Sequence, residues 1–266
     1  LKIFFNYSND KGICNNNPCR IKNKKLNNEK EYTDYLDETE LERVMNNAVQ
    51  VDNRTGRLLA SHYKNNRLMP VACLLIAFEF ASSRRTGSES SNLKWEQIIG
   101  LDSGQPRIKY KTTKTSDHDT PLVFSLAEKA HNLLKLISRD RLNNPDSKFY
   151  YPISDIRTKY VFPSRKYGKK TKAGICKVPH LVDVRKTFSN ILKMSGVERH
   201  MKNYATRHTL ATNLLSETGN LKLAAETLGV SLKTASRYAK VQGKDIVEGV
   251  NKVFKKKERV KIREVK

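Results

Sequence analysis

The sequence predicts an α+β fold that is mainly α-helical and carries one small antiparallel β-hairpin. Three observations predict it. Apolar residues recur at helical spacing through most of the chain, one stretch between 107 and 124 alternates instead around a polar turn, and caps or glycines stand at the ends of the helical runs. The 266 residues suffice for one large or two modest domains, and 38% hydrophobic content supports a packed core under a wide polar surface.

The elements follow in order. Residues 1–35 are rich in Asn and Lys, turn at Asn17-Pro18 and lack periodicity over 19–30, which is linker composition. Asp37 is an N-cap with Glu40 placed to complete a capping box, and Leu41, Val44 and Met45 give the first helix its apolar face. Residues 71–82 are apolar nearly all round and predict a helix buried on every side. Arg84 and Arg85 follow at once, then Gly87, Glu89 and a new helix start. A guanidinium beside a core requires a partner. Two are open: an internal ion pair of Arg85 with Glu89, or a phosphate gripped bidentately.

Beyond Gly100, residues 107–115 and 120–124 read as paired strands around a turn at 116–119, with Lys111 and Lys114 toward its tip. An amphipathic helix is expected over 126–137, a polar connection over 142–154 and a short buried strand at 161–164. A basic loop over 165–172 brings Arg165 and Lys166 as backbone-phosphate contacts. A helix over 182–194 buries Val184, Phe188 and Leu192 and stops at Gly196. Arg207 opens a helical segment over 209–217 with Leu210, Ala211, Leu214 and Leu215 on its apolar positions, and Gly219 stops it. Residues 221–228 form a second helix closed by Gly229, and 233–240 a third that carries Tyr238 among Lys233, Arg237 and Lys240. Residues 246–254 read as helical and 255–266 as a basic tail.

The formal net charge is +24, with Lys and Arg spread along the chain. Such an excess repels itself in the folded state unless a polyanion compensates, so a nucleic-acid partner is expected. Cys14, Cys19, Cys73 and Cys176 match neither a disulfide framework nor a zinc spacing, which favours free thiols in a reducing compartment. The longest apolar run, 71–80, is about half a membrane span and contains Glu79; no signal peptide is visible, although the chain begins without Met. The expectation is a soluble intracellular protein.

The C-terminal motifs resemble those of the tyrosine recombinases, the phage-type integrase family. Tyr204-Ala-Thr-Arg207-His208-Thr-Leu-Ala-Thr212, then Leu228-Gly229-Val230-Ser231, then Tyr238 follow that family's order and spacing. Arg85 through Glu89 with Asn92-Leu-Lys-Trp95 resembles its first motif. The resemblance implies a mainly helical catalytic domain over 36–245, a tail of an absent core-binding domain plus basic linker over 1–35, and a C-terminal helix and tail over 246–266. It further implies catalytic roles for Tyr238 as nucleophile, Arg85 (Arg84 as fallback) and Arg207 as phosphate ligands, and Lys114 (Lys111 second) as the acid on a hairpin. Tyr204 and His208 complete the candidate set, His208 more as a buttress than as a DNA contact. Arg84, Lys111, Arg165, Lys166, Lys233 and Arg237 are the candidate DNA-binding residues. The implied activity is site-specific cleavage and rejoining of DNA through a covalent 3′-phosphotyrosyl link, with no metal, cofactor or ATP. The implied partners are double-stranded DNA, further copies of the chain (a tetramer in the synapse, joined through the C-terminal segment) and accessory DNA-bending proteins. The implied setting is cytoplasmic, on the nucleoid, in a bacterial, phage or mobile-element context. Tyr204 stands where His or Lys is usual, Val230 where His or Trp is common, and the gap to Tyr238 is one residue short. These departures keep two alternatives open: a DNA-binding protein of the same fold with impaired cleavage, or a related hairpin-telomere resolvase or type IB topoisomerase.

Overall fold

The computed structural model describes Tyr7, Lys11, Gly12 and residues 35–87, 89–110, 122–142, 151–171 and 174–238. Lys111, Lys114, the hairpin tip, the 246–254 helix and the basic tail all lie outside the described residues. Contacts divide the chain into Leu1–Thr33 and Asp34–Lys266. In the first unit, the Lys11 amide donates to the Tyr7 carbonyl at 3.0 Å. Everything below concerns the second.

Helix α1 (Glu38–Ala48) begins as its sequence dictates. Asp37 accepts the Glu40 amide, and the Glu40 carboxylate accepts the Asp37 amide, closing the capping box. Helix α2 (Ala60–Asn65) is short. Helix α3 (Pro70–Ser82) starts with Pro70, whose missing N–H costs nothing in a first turn, and is buried almost all round. It packs against α1, α4 (Glu128–Leu142), α5 (Arg185–Met194) and α6 (Ala205–Thr218) and is the centre of the core. Leu74, Leu75, Ile76 and Phe78 are fully buried there, each contributing about 1.5–3 kcal/mol.

A three-stranded antiparallel sheet runs in the order β1 (Ile98–Ile99), β2 (Arg107–Tyr110), β3 (Leu122–Ser125), with Ile108 opposite Phe124. Strands β2 and β3 are the expected pair; β1 is an addition. The helix start expected after Gly87 is instead a series of turns leading to a 3₁₀ turn at Trp95–Gln97. The Ser- and Asn-rich run explains this, since its hydroxyls bond locally to backbone, as Ser91 Oγ does to the Gly87 amide at 3.0 Å. Residues 161–164 are buried but form no strand. Isolated bridges hold this stretch, Lys94 to Tyr160 just before it and Pro163 to His180 within it; the Ser164 amide donates to the Pro179 carbonyl, but Pro179 has no N–H to return the bond and extend the ladder. The basic loop contains a two-residue strand, β4 (Lys170–Thr171), paired with β5 (Gly174–Ile175).

The last segment is α6, α7 (Leu221–Leu228) and α8 (Leu232–Ala235), with α8 passing into a 3₁₀ turn at Ser236–Tyr238. Gly219 and Gly229 end α6 and α7 in the left-handed region, at φ 62° and 61°. The third helix is therefore shorter than expected and finishes in a tighter turn at the tyrosine.

Candidate active site

The site is assembled at the end of α3. Ser83 leaves the helix at φ 58°, a left-handed conformation costing a non-glycine residue about 1–2 kcal/mol, and its amide still caps the Glu79 carbonyl at 2.9 Å. The chain then turns back through Thr86 and Gly87, so that the Glu89 and Ser90 amides both donate to the Arg85 carbonyl at 3.1 and 3.0 Å. This places two guanidiniums in different surroundings.

Arg84 is 3% exposed. Its guanidinium lies 3.8 Å from the centre of the Phe124 ring, Nε donates to the Ser82 carbonyl at 3.0 Å, Nη2 donates to the Thr227 carbonyl, and Nη1 is 3.9 Å from Glu89. A desolvated guanidinium over a ring gains about 2 kcal/mol, which helps offset its burial. Arg85 faces outward with 35% of its side chain exposed and pairs with Glu89 at 3.5 Å. The internal ion pair weighed from the sequence is thus present, while the Arg85 guanidinium keeps an open side.

Arg207 occupies the third position of α6 and is 1% exposed. Nη1 donates to the Ser83 carbonyl at 2.9 Å and Nη2 to the Leu228 carbonyl. The carbonyl end of α7 is the negative end of its dipole, so two arginines there are well placed. Burial pulls the Arg207 pKa below its ordinary value, and Tyr204, Arg85, Glu89 and Tyr238 lie near enough to act on it electrostatically. Nε of Arg207 and Nη1 of Arg84 are buried donors with no hydrogen-bond partner among the described residues.

Tyr238 is 7% exposed and packs with Ala211 and Leu228, with Leu215 and Val230 alongside. His208 stands between two tyrosines: its ring centre is 5.2 Å from that of Tyr238 and 4.7 Å, edge-on, from that of Tyr204. Tyr204 itself is 47% exposed at the start of α6. Val230 belongs to the apolar wall behind Tyr238, a packing role that its side chain suits. Arg165, Lys166, Lys233 and Arg237 are all exposed, the last two on the short elements that carry Tyr238. The structure therefore brings Arg84, Arg85, Arg207, Tyr204, His208 and Tyr238 into one neighbourhood.

Some neighbours escaped the sequence reading. Tyr110 on β2 is buried beside Arg84, and burial pushes its hydroxyl well above its usual range. Glu79 is fully buried on α3, and its Oε2 accepts the Thr86 hydroxyl at 2.8 Å. The available signal was a carboxylate inside an otherwise apolar run, immediately before two arginines. Phe124 carried none beyond its place on a strand.

No curated protein matches the chain significantly in sequence. Solved structures share its fold. The XerH site-specific recombinase bound to its difH substrate in a pre-cleavage complex is 22% identical, with a TM-score of 0.53 over 82% of this chain and 53% of that one. The XerA recombinase is 19% identical, with a TM-score of 0.52 over 82% and 64%. The Tn1549 transposon integrase in complex with transposon right-end DNA is 12% identical, with a TM-score of 0.58 over 95% and 76%. The chain thus spans about half to two-thirds of the length of the two recombinases. Among the described residues, no helix is long and apolar enough to cross a membrane. The phage integrase family matches residues 34–244, most of the chain, and the protein belongs to that family.

Proposed function

We propose that the chain is a site-specific DNA recombinase or integrase that cuts and rejoins strands through Tyr238, with residues 36–245 as its catalytic domain. The Tyr238 hydroxyl attacks the scissile phosphorus, the new Tyr–O–P bond forms as the P–O5′ bond breaks, and the 3′ end is left on the enzyme. A free tyrosine hydroxyl, with a pKa near 10, is a poor nucleophile at neutral pH. Cationic donors must therefore carry the charge that develops on the non-bridging oxygens, the task metal ions perform at other phosphoryl-transfer sites. Arg85 and Arg207 take that role, and Lys114 delivers the proton to the departing 5′ oxygen. Attack by a 5′-hydroxyl of another strand reverses the step, so the link conserves phosphodiester energy and no ATP is consumed. Exchange takes place between two duplexes held by several copies of the chain, with the C-terminal segment joining them.

The observation that carries this reading is the place of Arg207, which bonds the Ser83 carbonyl next to Arg84 and Arg85 and the Leu228 carbonyl of the residue packed on Tyr238, within electrostatic reach of Arg85 and Tyr238. The net charge of +24 supports a DNA partner. The test is incubation with nicked suicide duplexes drawn from the DNA flanking the gene. A covalent protein–DNA adduct formed by the native chain and lost in Tyr238→Phe is expected. Adduct without exchange between two duplexes points to a resolvase- or topoisomerase-like enzyme. Tyr204 and Val230 favour a second reading, a DNA-binding protein of this fold that no longer cleaves, since tyrosine is a weak proton shuttle near neutral pH. Binding without adduct on any flanking duplex selects it.

A further inference from the structure

A buried carboxyl stands directly behind the arginine-bearing turn and has no part in the reaction above. Glu79 has no exposed surface. Its carbonyl accepts the Ser83 amide at 2.9 Å and its Oε2 accepts the Thr86 hydroxyl at 2.8 Å. One residue therefore grips the chain on both sides of Arg84 and Arg85. Packing does not account for it, because every neighbour along α3 from Val71 to Phe80 is apolar and burying a carboxyl opposes folding.

We propose that Glu79 is a positioning residue: through Thr86 it fixes the turn that presents Arg85 to DNA. The inference rests on the reading of Arg85 as a phosphate ligand. The turn has two anchors of different character. Glu89 accepts the Arg85 amide at 3.1 Å and pairs with the guanidiniums of Arg85 and Arg84, so it is the charged anchor. Glu79 is the neutral one, since burial pushes its carboxyl up to about 8 and it keeps its proton at neutral pH. A neutral acceptor holds Thr86 without drawing a guanidinium away from an incoming phosphate. Tyr110 from β2, which burial keeps neutral, lies within electrostatic reach of the Glu79 carboxyl.

Two variants of the full chain test this, with two readouts. Thr86→Val removes the hydroxyl at nearly constant shape, whereas Glu79→Gln keeps a neutral oxygen for Thr86 to bond. Hydrogen exchange at the Arg85, Gly87, Glu89 and Ser90 amides is expected to rise about tenfold in Thr86→Val, with the amides of the middle of α3 unchanged, and to stay near native in Glu79→Gln. On a nicked duplex from the DNA flanking the gene, Thr86→Val is expected to form adduct about tenfold more slowly at saturating DNA while its affinity for the duplex stays native. Unaltered exchange in Thr86→Val overturns the proposal, as does a Glu79→Gln protein that behaves like Thr86→Val. A native chain that forms no adduct sinks the catalytic reading alone, because the exchange measurement still decides whether Glu79 holds the turn.

Discussion

Replacing Glu79 by Gln changes how stability varies with pH, because burial raises the pKa of the carboxyl in the folded chain. The carboxyl keeps its proton in the folded chain until about pH 8 and releases it above about 4.5 when unfolded. Its folded-state pKa is thus raised, so the folded form is favoured most below 4.5 and loses ground as pH climbs from there to 8. At about 1.4 kcal/mol per pH unit, the interval from 4.5 to neutrality comes to about 3 kcal/mol. Gln has no proton to lose. Urea unfolding followed by circular dichroism should therefore show the variant gaining on the native chain by about 3 kcal/mol between pH 4.5 and 7, and by somewhat more at pH 8. Stability curves that stay parallel across this range refute the argument, for they would mean that Glu79 titrates normally in the folded protein.

Other outcomes follow from the same structure. Gly229→Ala forces a side chain into the left-handed region at φ 61° and sets its Cβ 3.0 Å from the Phe124 ring, so thermal unfolding should report a loss of about 1–2 kcal/mol. Asp37→Ala breaks the capping box of α1 and should cost about 1 kcal/mol in the same assay. Phe78→Ala empties a fully buried site in α3 and should cost about 3–5 kcal/mol by urea titration. If about six phosphates are neutralised, duplex affinity measured by fluorescence anisotropy should fall with a log–log salt slope near −5, and a flat response refutes a DNA partner.

Elements specified by short-range chemistry were legible in the chain. The capping box at Asp37 and Glu40, the nearly all-apolar α3 and the glycine-closed α7 each depend on residues within one or two turns. Elements that depend on partners distant in sequence were not. The two-residue β1 exists only because β2 lies against it, and residues 161–164 read as a strand although Pro179, opposite Ser164, cannot continue the ladder. The same division holds at the site. Arg85, Arg207 and Tyr238 are visible as motif residues. Glu79, Tyr110 and Phe124 matter because folding sets them around the Arg84–Thr86 turn, more than a dozen residues away for the last two, and no local pattern encodes that meeting.

The bonds from Arg84 to Thr227 and from Arg207 to Ser83 and Leu228 have a consequence for anyone who removes these side chains. Each guanidinium stitches the last turn of α7 to the end of α3, and α7 leads straight into the segment that ends at Tyr238. An alanine at either position loosens the seam that sets the tyrosine in place as well as deleting a positive charge. Lysine keeps the charge and forfeits the fork, so comparing the two replacements separates what the cation does from what the suture does.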